Sequence, residues 1–283
     1  MNPLEILWSY QALSDGQKMF LRLKRIDASM SLAEWIAFLG GLARFDRRAD
    51  ALCSYLLWGG VISVLISIFC AVFFESGWPL LLILGSIYVF VARSRLKGLD
   101  LPSLIGRFLL PYLVVLREEV TKDSKLWLKL DLRGFGLREK LTAESGPARN
   151  HVRVYRDQWL TGSASLADGA ALHWTIIDQV RSRSRERRNA RGKTKTKTKS
   201  KVRRSINACL QVKHRDYVLN QGEAPGPAVK QKIKAGEKRD EIRTQLDFYP
   251  VSAETPPELS QMIDAIASAY RNLSVAEPSV SKA

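Results

Sequence analysis

Thirteen lysines and arginines fall within residues 181–204 (RSRSRERRNARGKTKTKTKSKVRR), against a single acid, Glu186. Arg181, Arg183, Arg185, Arg187, Arg188, Arg191, Lys193, Lys195, Lys197, Lys199, Lys201, Arg203 and Arg204 can do one kind of chemistry at such density: they neutralise an anion. Guanidinium forks pair with two phosphate or carboxylate oxygens at once, and ammonium groups act as point charges. The run carries +12 of the chain's formal +16, so the rest of its 283 residues is only mildly basic. Anionic lipid headgroups, an acidic protein and nucleic acid are the partner classes that this balance admits.

Other chemistry-bearing residues are sparse. His214 and Asp216 share a strand face, but no third ligand stands at suitable spacing, so no metal site is expected. His173 lies beside Trp174 in a strand-like run, where a surface histidine is the plain reading. Cys53, Cys70 and Cys209 lack C-x-x-C spacing, which argues against a disulfide framework or a zinc knuckle. The chain has no G-x-S-x-G, Walker, G-x-G-x-x-G or H-E-x-x-H motif. The expectation is a non-enzymatic protein without a cofactor.

The order of the cations says what holds them. Arginine recurs at 181, 183, 185 and 187, and lysine at 193, 195, 197, 199 and 201, with serine or threonine between. Two period-2 halves around Asn189-Ala190-Arg191-Gly192 predict a projecting β-hairpin over 181–204, the alternative for so much like charge being a solvated, disordered loop. A loop with an even residue count pairs Arg185 with Thr196. An odd count sets cations directly opposite one another, at a cost. The even register is therefore expected, with cations alternating across both faces.

That hairpin belongs to a β-rich domain over 125–275, expected to be a barrel or a sandwich. Leu126, Leu128, Leu130 and Leu132 alternate with polar residues, as do Leu172, Trp174 and Ile176, and Ile206, Ala208, Leu210 and Val212. Val152 and Val154 share one side of a further strand. Asp168-Gly169 marks a turn between two strand-like runs. An amphipathic helix over 256–273 closes the domain, and 276–283 is a polar tail.

The N-terminal third has a different character. Residues 51–74 hold no charge over 24 positions, about 36 Å of helix, enough to cross a ~30 Å hydrocarbon layer. A second apolar run, 78–92, reaches 96 if Arg93 and Arg95 snorkel. Glu75-Ser76-Gly77 between them predicts a transmembrane hairpin over 51–96. Lysine and arginine flank both runs and are absent from the connection, so both termini are expected in the cytoplasm, with the protein multi-pass in the inner membrane. The first run starts fifty residues in, with no small-residue cleavage site after it, unlike a signal peptide. Gly59, Ser63, Ser67 and Ala71 recur every four residues, and Gly85 offers a facing notch. Such ridges let helices approach closely, within the hairpin or in a homo-oligomer. No Asp, Glu, Lys, Arg or His lies within either run, which disfavours an oligomeric channel or transporter subunit.

Residues 1–50 read as cytoplasmic or interfacial helices. Ser31 and Glu34 stand at capping-box spacing before an apolar segment over 31–45, either interfacial or packed on the domain. Residues 97–124 read as a juxtamembrane amphipathic helix, with Leu101, Leu104, Ile105, Phe108, Leu109, Tyr112, Val115 and Leu116 on one face. Pro111 should kink or divide it. A β-rich domain closed by a C-terminal helix behind a membrane hairpin resembles, in layout alone, bacterial pleckstrin-homology-like membrane proteins. The functional expectation is a membrane-anchored binding or scaffold protein whose basic hairpin engages acidic phospholipid or an acidic protein. The alternative is membrane-tethered nucleic-acid binding.

Overall fold

The structure, a computed structural model, describes residues 9–73, 78–121, 124–147, 150–188, 192–219, 229–252 and 255–276. The chain is α+β, with one long apolar helix near the N-terminus and a large antiparallel sheet. It divides into two compact units: Met1–Leu23 with Ala37–Pro102, and Lys24–Ile36 with Ser103–Ala283.

The first unit is helical. Helix α1 spans Asp15–Leu23 and α2 Leu32–Phe73, the first turn of α2 belonging to the second unit. Segment 31–45 and the apolar run, read separately from the sequence, form one continuous helix, with no proline between them to interrupt it. Its start is the predicted capping box: the Ser31 N–H donates to Glu34 Oε2 at 2.8 Å, and the Glu34 N–H donates to Ser31 Oγ at 3.3 Å. Within the unit, Gln17 of α1 donates to the Phe38 carbonyl at 2.8 Å. A Cβ on Gly41 would come within 2.5 Å of that glutamine, so glycine there permits the approach. Leu32–Cys70 is long and apolar enough to cross a membrane. Tyr55, Trp58, Ile62, Leu65 and Phe69 along it are all exposed.

Helix α3 (Trp78–Gly98) touches α2 at several points. Ser63 Oγ donates to the Leu82 carbonyl at 3.4 Å, and Arg93 Nε to the Cys53 carbonyl at 3.2 Å. Of the expected ridge, Ser63 bonds to α3 and Ser67 is buried, but Gly59 and Gly85 are not at the contact. Gly60, not Gly59, faces the partner helix, with its Cβ direction 3.0 Å from the Phe90 ring. Ser67 and Ser86 are buried, whereas Gly59 and Gly85 meet nothing within 4 Å. An α-helix turns 3.6 residues per turn, so a strict four-residue repeat drifts off the contact line. The side chain of Ala71 and the connection 74–77 lie outside the described residues.

The second unit is built on an eight-stranded sheet. Its strands are β1 (Arg25–Ser31), β2 (Lys125–Asp131), β3 (Leu141–Ser145), β4 (Asn150–Ser165), β5 (Ala171–Arg188), β6 (Thr194–Lys213), β8 (Val229–Lys234) and β9 (Arg239–Val251). They run in the order β1-β2-β4-β5-β6-β9-β8, with β3 also paired to β4. This open path is neither the barrel nor the sandwich expected from the short strands. A separate pair joins β7 (Tyr217–Leu219) to β10 (Leu273–Val275). Residues 25–31, which continue a helical apolar spacing from Met19, form an edge strand instead. They lie directly opposite β2, with Arg25 against Asp131 and Ser31 against Lys125, and the tertiary ladder overrides the local period. The predicted turn at Asp168-Gly169 is present, with Ser165 opposite Ala171 and Gly169 at φ +84°.

One sheet face is covered by helices. The segment after α3 packs as a lid: a π-turn (Ile105–Leu109) leads into α4 (Leu110–Glu119). Pro111 has no N–H to give the preceding turn, and the helix meets this with the π-turn rather than the expected division: Leu109 and Leu110 both keep right-handed helical backbone. Phe108 meets Trp159 at 6.1 Å, and Tyr112 meets Trp174 at 5.5 Å. Helix α5 (Leu259–Tyr270) buries Met262, Ala265 and Ala269 over β6 and β9. Trp35 Nε1 donates to the Leu126 carbonyl at 2.9 Å, deep under β2.

Candidate anion-binding ribbon

Strands β5 and β6 pair without interruption from Ala171–Gln211 to Arg188–Thr194, forming a ribbon that runs past the end of β9. The register is the odd one, not the even one expected. Arg181 faces Lys201, Arg183 faces Lys199, Arg185 faces Lys197 and Arg187 faces Lys195. The reason lies at the other end of the same ladder. Leu172 opposes Leu210, Trp174 opposes Ala208, Ile176 opposes Ile206 and Val180 opposes Val202, all buried. Directly opposed residues share a face, so even-numbered inward positions on both strands force an even sum and an odd loop. Slipping by one residue would turn every one of these side chains to solvent. Four opposed like-charge pairs cost about 0.2–1 kcal/mol each. Burying each large core side chain contributes about 1.5–3 kcal/mol, so the core sets the register.

The consequence is a ribbon with two unlike faces. Arg181, Arg183, Arg185, Arg187, Lys195, Lys197, Lys199 and Lys201 line one face, together with Arg203 at its base. The other face carries hydroxyls: Ser184 and Thr198 lie 3.4 Å apart, and Ser200 donates to Ser182 at 3.3 Å. At about 3.4 Å per residue, same-face cations stand about 7 Å apart along each strand and about 5 Å apart across the pair. The cationic face is concave, an open groove of about 1110 Å³ whose walls include Ser145, Val152, Val154, Gln179 and Tyr249. Among the described residues, none of the eight strand cations forms an ion pair with a carboxylate.

The other cations of the run have different places. Arg204 is buried and forked onto Asp178, with both N–H···O distances 2.7 Å, while its Nη1 donates to the Thr255 carbonyl at 2.7 Å. Arg203 pairs with Asp247 at 2.8 Å. Arg188 Nε donates to the Gly192 carbonyl at 3.2 Å near the tip. Lys193 precedes β6 and is exposed. Arg191 and the turn 189–190 lie outside the described residues.

A charged layer roots the ribbon. A bulge between Gln158 and Leu160 shifts the phase of β4, so that Asp157 faces inward directly opposite Asp178. Lys140, in the 3₁₀ turn Arg138–Lys140, donates to Asp157 at 2.7 Å and lies 3.3 Å from Asp131. Burial pushes Asp157 above the usual carboxylate range, only partly offset by its bond from Lys140. Burial acts to raise Asp131 too, but hydrogen bonds from Arg133 and the charge of Lys140 outweigh it and hold that carboxyl at about 2. Beneath lies a small apolar cluster of Tyr155, Val180 and Val202, flanked by Phe135, Leu141 and Val251. On the outer face, Asp247 gathers Arg203, Lys230, Ser205 and Gln245; their hydrogen bonds overcome its burial and hold it well below the usual range.

The remaining titratable groups are engaged structurally. His214 and Asp216 lie in the turn between β6 and β7 rather than on the shared strand face expected, and His214 Nε2 lies 2.8 Å from Asp240. Cys209 Sγ donates to Glu241 at 3.0 Å, and burial, reinforced by that carboxylate, pushes its thiol up to about 12. Asp168 Oδ2 accepts from Tyr217 and Tyr270, each at 2.7 Å. Asp46, Asp50 and Asp100 bring carboxylate oxygens within 4.8 Å of one another, and Asp46 already accepts the Leu101 N–H at 2.9 Å. Sequence reasoning missed Lys140, Asp157 and Tyr249. No local signal marks Lys140 or Tyr249, and the bulge that turns Asp157 inward shows only in the paired sheet. Comparison with protein-family models, with curated proteins and with solved structures gives no match.

Proposed function

We propose that this is a non-enzymatic, membrane-anchored binding protein whose cationic ribbon face engages an anionic partner, either acidic phospholipid of the cytoplasmic leaflet or an acidic protein. The observation that carries the reading is the segregation of eight cations onto one concave ribbon face, with no carboxylate paired to them among the described residues. Such a face is electrostatically incomplete in isolation, and an anion relieves the repulsion between opposed cations. Anchoring is supported by the apolar, mostly uncovered helix over Leu32–Cys70. In this reading α2 and α3 form a two-span transmembrane hairpin with both termini in the cytoplasm, packed through Gly60, Ser63, Ser67 and Ser86. Near an acidic leaflet each basic side chain contributes on the order of 1 kcal/mol.

A second reading, nucleic-acid binding, draws on Tyr249, which is 60% exposed on the wall of the same groove and offers a stacking surface that 181–204 itself lacks. The test uses the full chain, because β1 and Trp35 belong to the sheet unit and a fragment starting at 97 would lose both. In neutral detergent, the chain is titrated at physiological salt with acidic-lipid and zwitterionic nanodiscs, polyglutamate and a single-stranded oligonucleotide. Replacing Lys195, Lys197, Lys199 and Lys201 by glutamine weakens the genuine interaction by an order of magnitude or more. If nothing anionic binds, or if the substitutions leave binding unchanged, the proposal fails.

A further inference from the structure

Among the described residues, strand β6 is paired on one side only over its first eight positions. Strand β9 accompanies it as far as Val202 opposite Val251 and no further. From Thr194 to Lys201, β6 pairs with β5 alone among the described residues. The other edge of the ribbon is different, because β4 follows β5 out to Asn150 opposite Arg185. Among the described residues the ribbon thus has one long free edge, about 27 Å at ~3.4 Å per residue, with every second residue turning its N–H and C=O outward.

Lysines on such an edge ordinarily discourage strand pairing. Here they also specify what is admitted. In an antiparallel ladder directly opposed residues share a face, so an added strand with carboxylates at alternate positions would set them all opposite Lys195, Lys197, Lys199 and Lys201. Its intervening side chains would fall opposite Thr194, Thr196, Thr198 and Ser200. A second copy of β6 in the matching register meets lysine with lysine, and a bilayer surface uses the charges but not the backbone edge.

We propose that the free edge of β6 over 194–201 binds an extended acidic segment of a partner protein by strand addition. This rests on the anion-binding reading above and deepens it: the partner is an acidic peptide with period-2 carboxylates, recognised by backbone as well as by charge.

The test uses the full chain in zwitterionic nanodiscs at physiological salt, with two labelled peptides of identical composition: alternating (Thr-Glu)4, and a block peptide of four threonines followed by four glutamates. Four cross-strand ion pairs favour the alternating peptide by about tenfold or more. It should also slow amide exchange at alternate positions along 194–201, which the block peptide should not. The variant carrying Lys→Gln at 195, 197, 199 and 201 should lose the preference. Equal affinities with no protection of the edge would overturn strand addition while leaving the anion reading intact. Strand addition is likewise overturned, and the anion reading kept, if neither peptide binds but acidic-lipid nanodiscs do. If neither peptide nor acidic lipid binds, both readings fall.

Discussion

Replacing Arg204 by methionine tests whether the ribbon is held at its root by charge. Arg204 is 2% exposed and makes three charge-assisted hydrogen bonds, two of them to Asp178. Asp178 is itself buried and directly opposite Asp157, whose neighbouring cation, Lys140, already serves Asp131 as well. Methionine keeps most of the side-chain volume, so the loss is electrostatic rather than a cavity. It leaves Asp178 without its arginine, directly opposite the carboxylate of Asp157. Breaking a buried pair from one side costs about 3–5 kcal/mol. Removing both charges, with Arg204→Met and Asp178→Leu together, should recover most of that, because the desolvation penalty disappears along with the attraction. Chemical denaturation of the full chain in detergent, followed by tryptophan fluorescence, measures all three variants. A single substitution costing under about 1 kcal/mol, or a double variant no more stable than Arg204→Met alone, would refute the idea that this layer stabilises the root.

Three further outcomes follow from the geometry. A Cβ on Gly162 would lie 2.3 Å from Trp174 and 2.7 Å from Leu128. Gly162→Ala should therefore destabilise the sheet by about 1–3 kcal/mol or more and alter the Trp174 environment, read by near-ultraviolet circular dichroism. Gly60→Val should lower the melting temperature in detergent through its clash with Phe90, whereas Gly59→Val, in open space, should not. Asp131, held at about 2, contributes stability that is complete above its unfolded value near 3.8 and lost as pH falls through about 2. Its worth is on the order of 1 kcal/mol after solvent screening. The stability gap between wild type and Asp131→Asn should thus close on acidification from about pH 4 to pH 2. Asp157, raised by burial, acts with the opposite sign, so Asp157→Asn should not reproduce that profile.

Much of the local structure was legible in the residues. An uncharged run of 24 positions can hardly be anything but a long apolar helix, and Ser31 with Glu34 announces where that helix starts. Strict alternation over 181–204 specifies a strand pair. These features come from periods and capping chemistry within a few residues of chain, which folding does not alter. The distribution of charge on the ribbon was open to an argument that charge alone could not supply. Local repulsion favours alternating faces, but Leu172, Trp174 and Ile176 must meet Leu210, Ala208 and Ile206, and a rigid ladder carries that parity roughly thirty ångströms outward.

The sequence by itself determined that the chain has a long apolar helix, a β-rich domain and a dense period-2 cationic run. Only the tertiary structure decided that the cations share one face, that 25–31 joins the sheet as an edge strand, and that Asp157 turns inward against Asp178. Those outcomes depend on which strands become neighbours and on one bulge in β4. A periodic pattern fixes the two faces of a strand, and only packing against its neighbours decides which face meets the core.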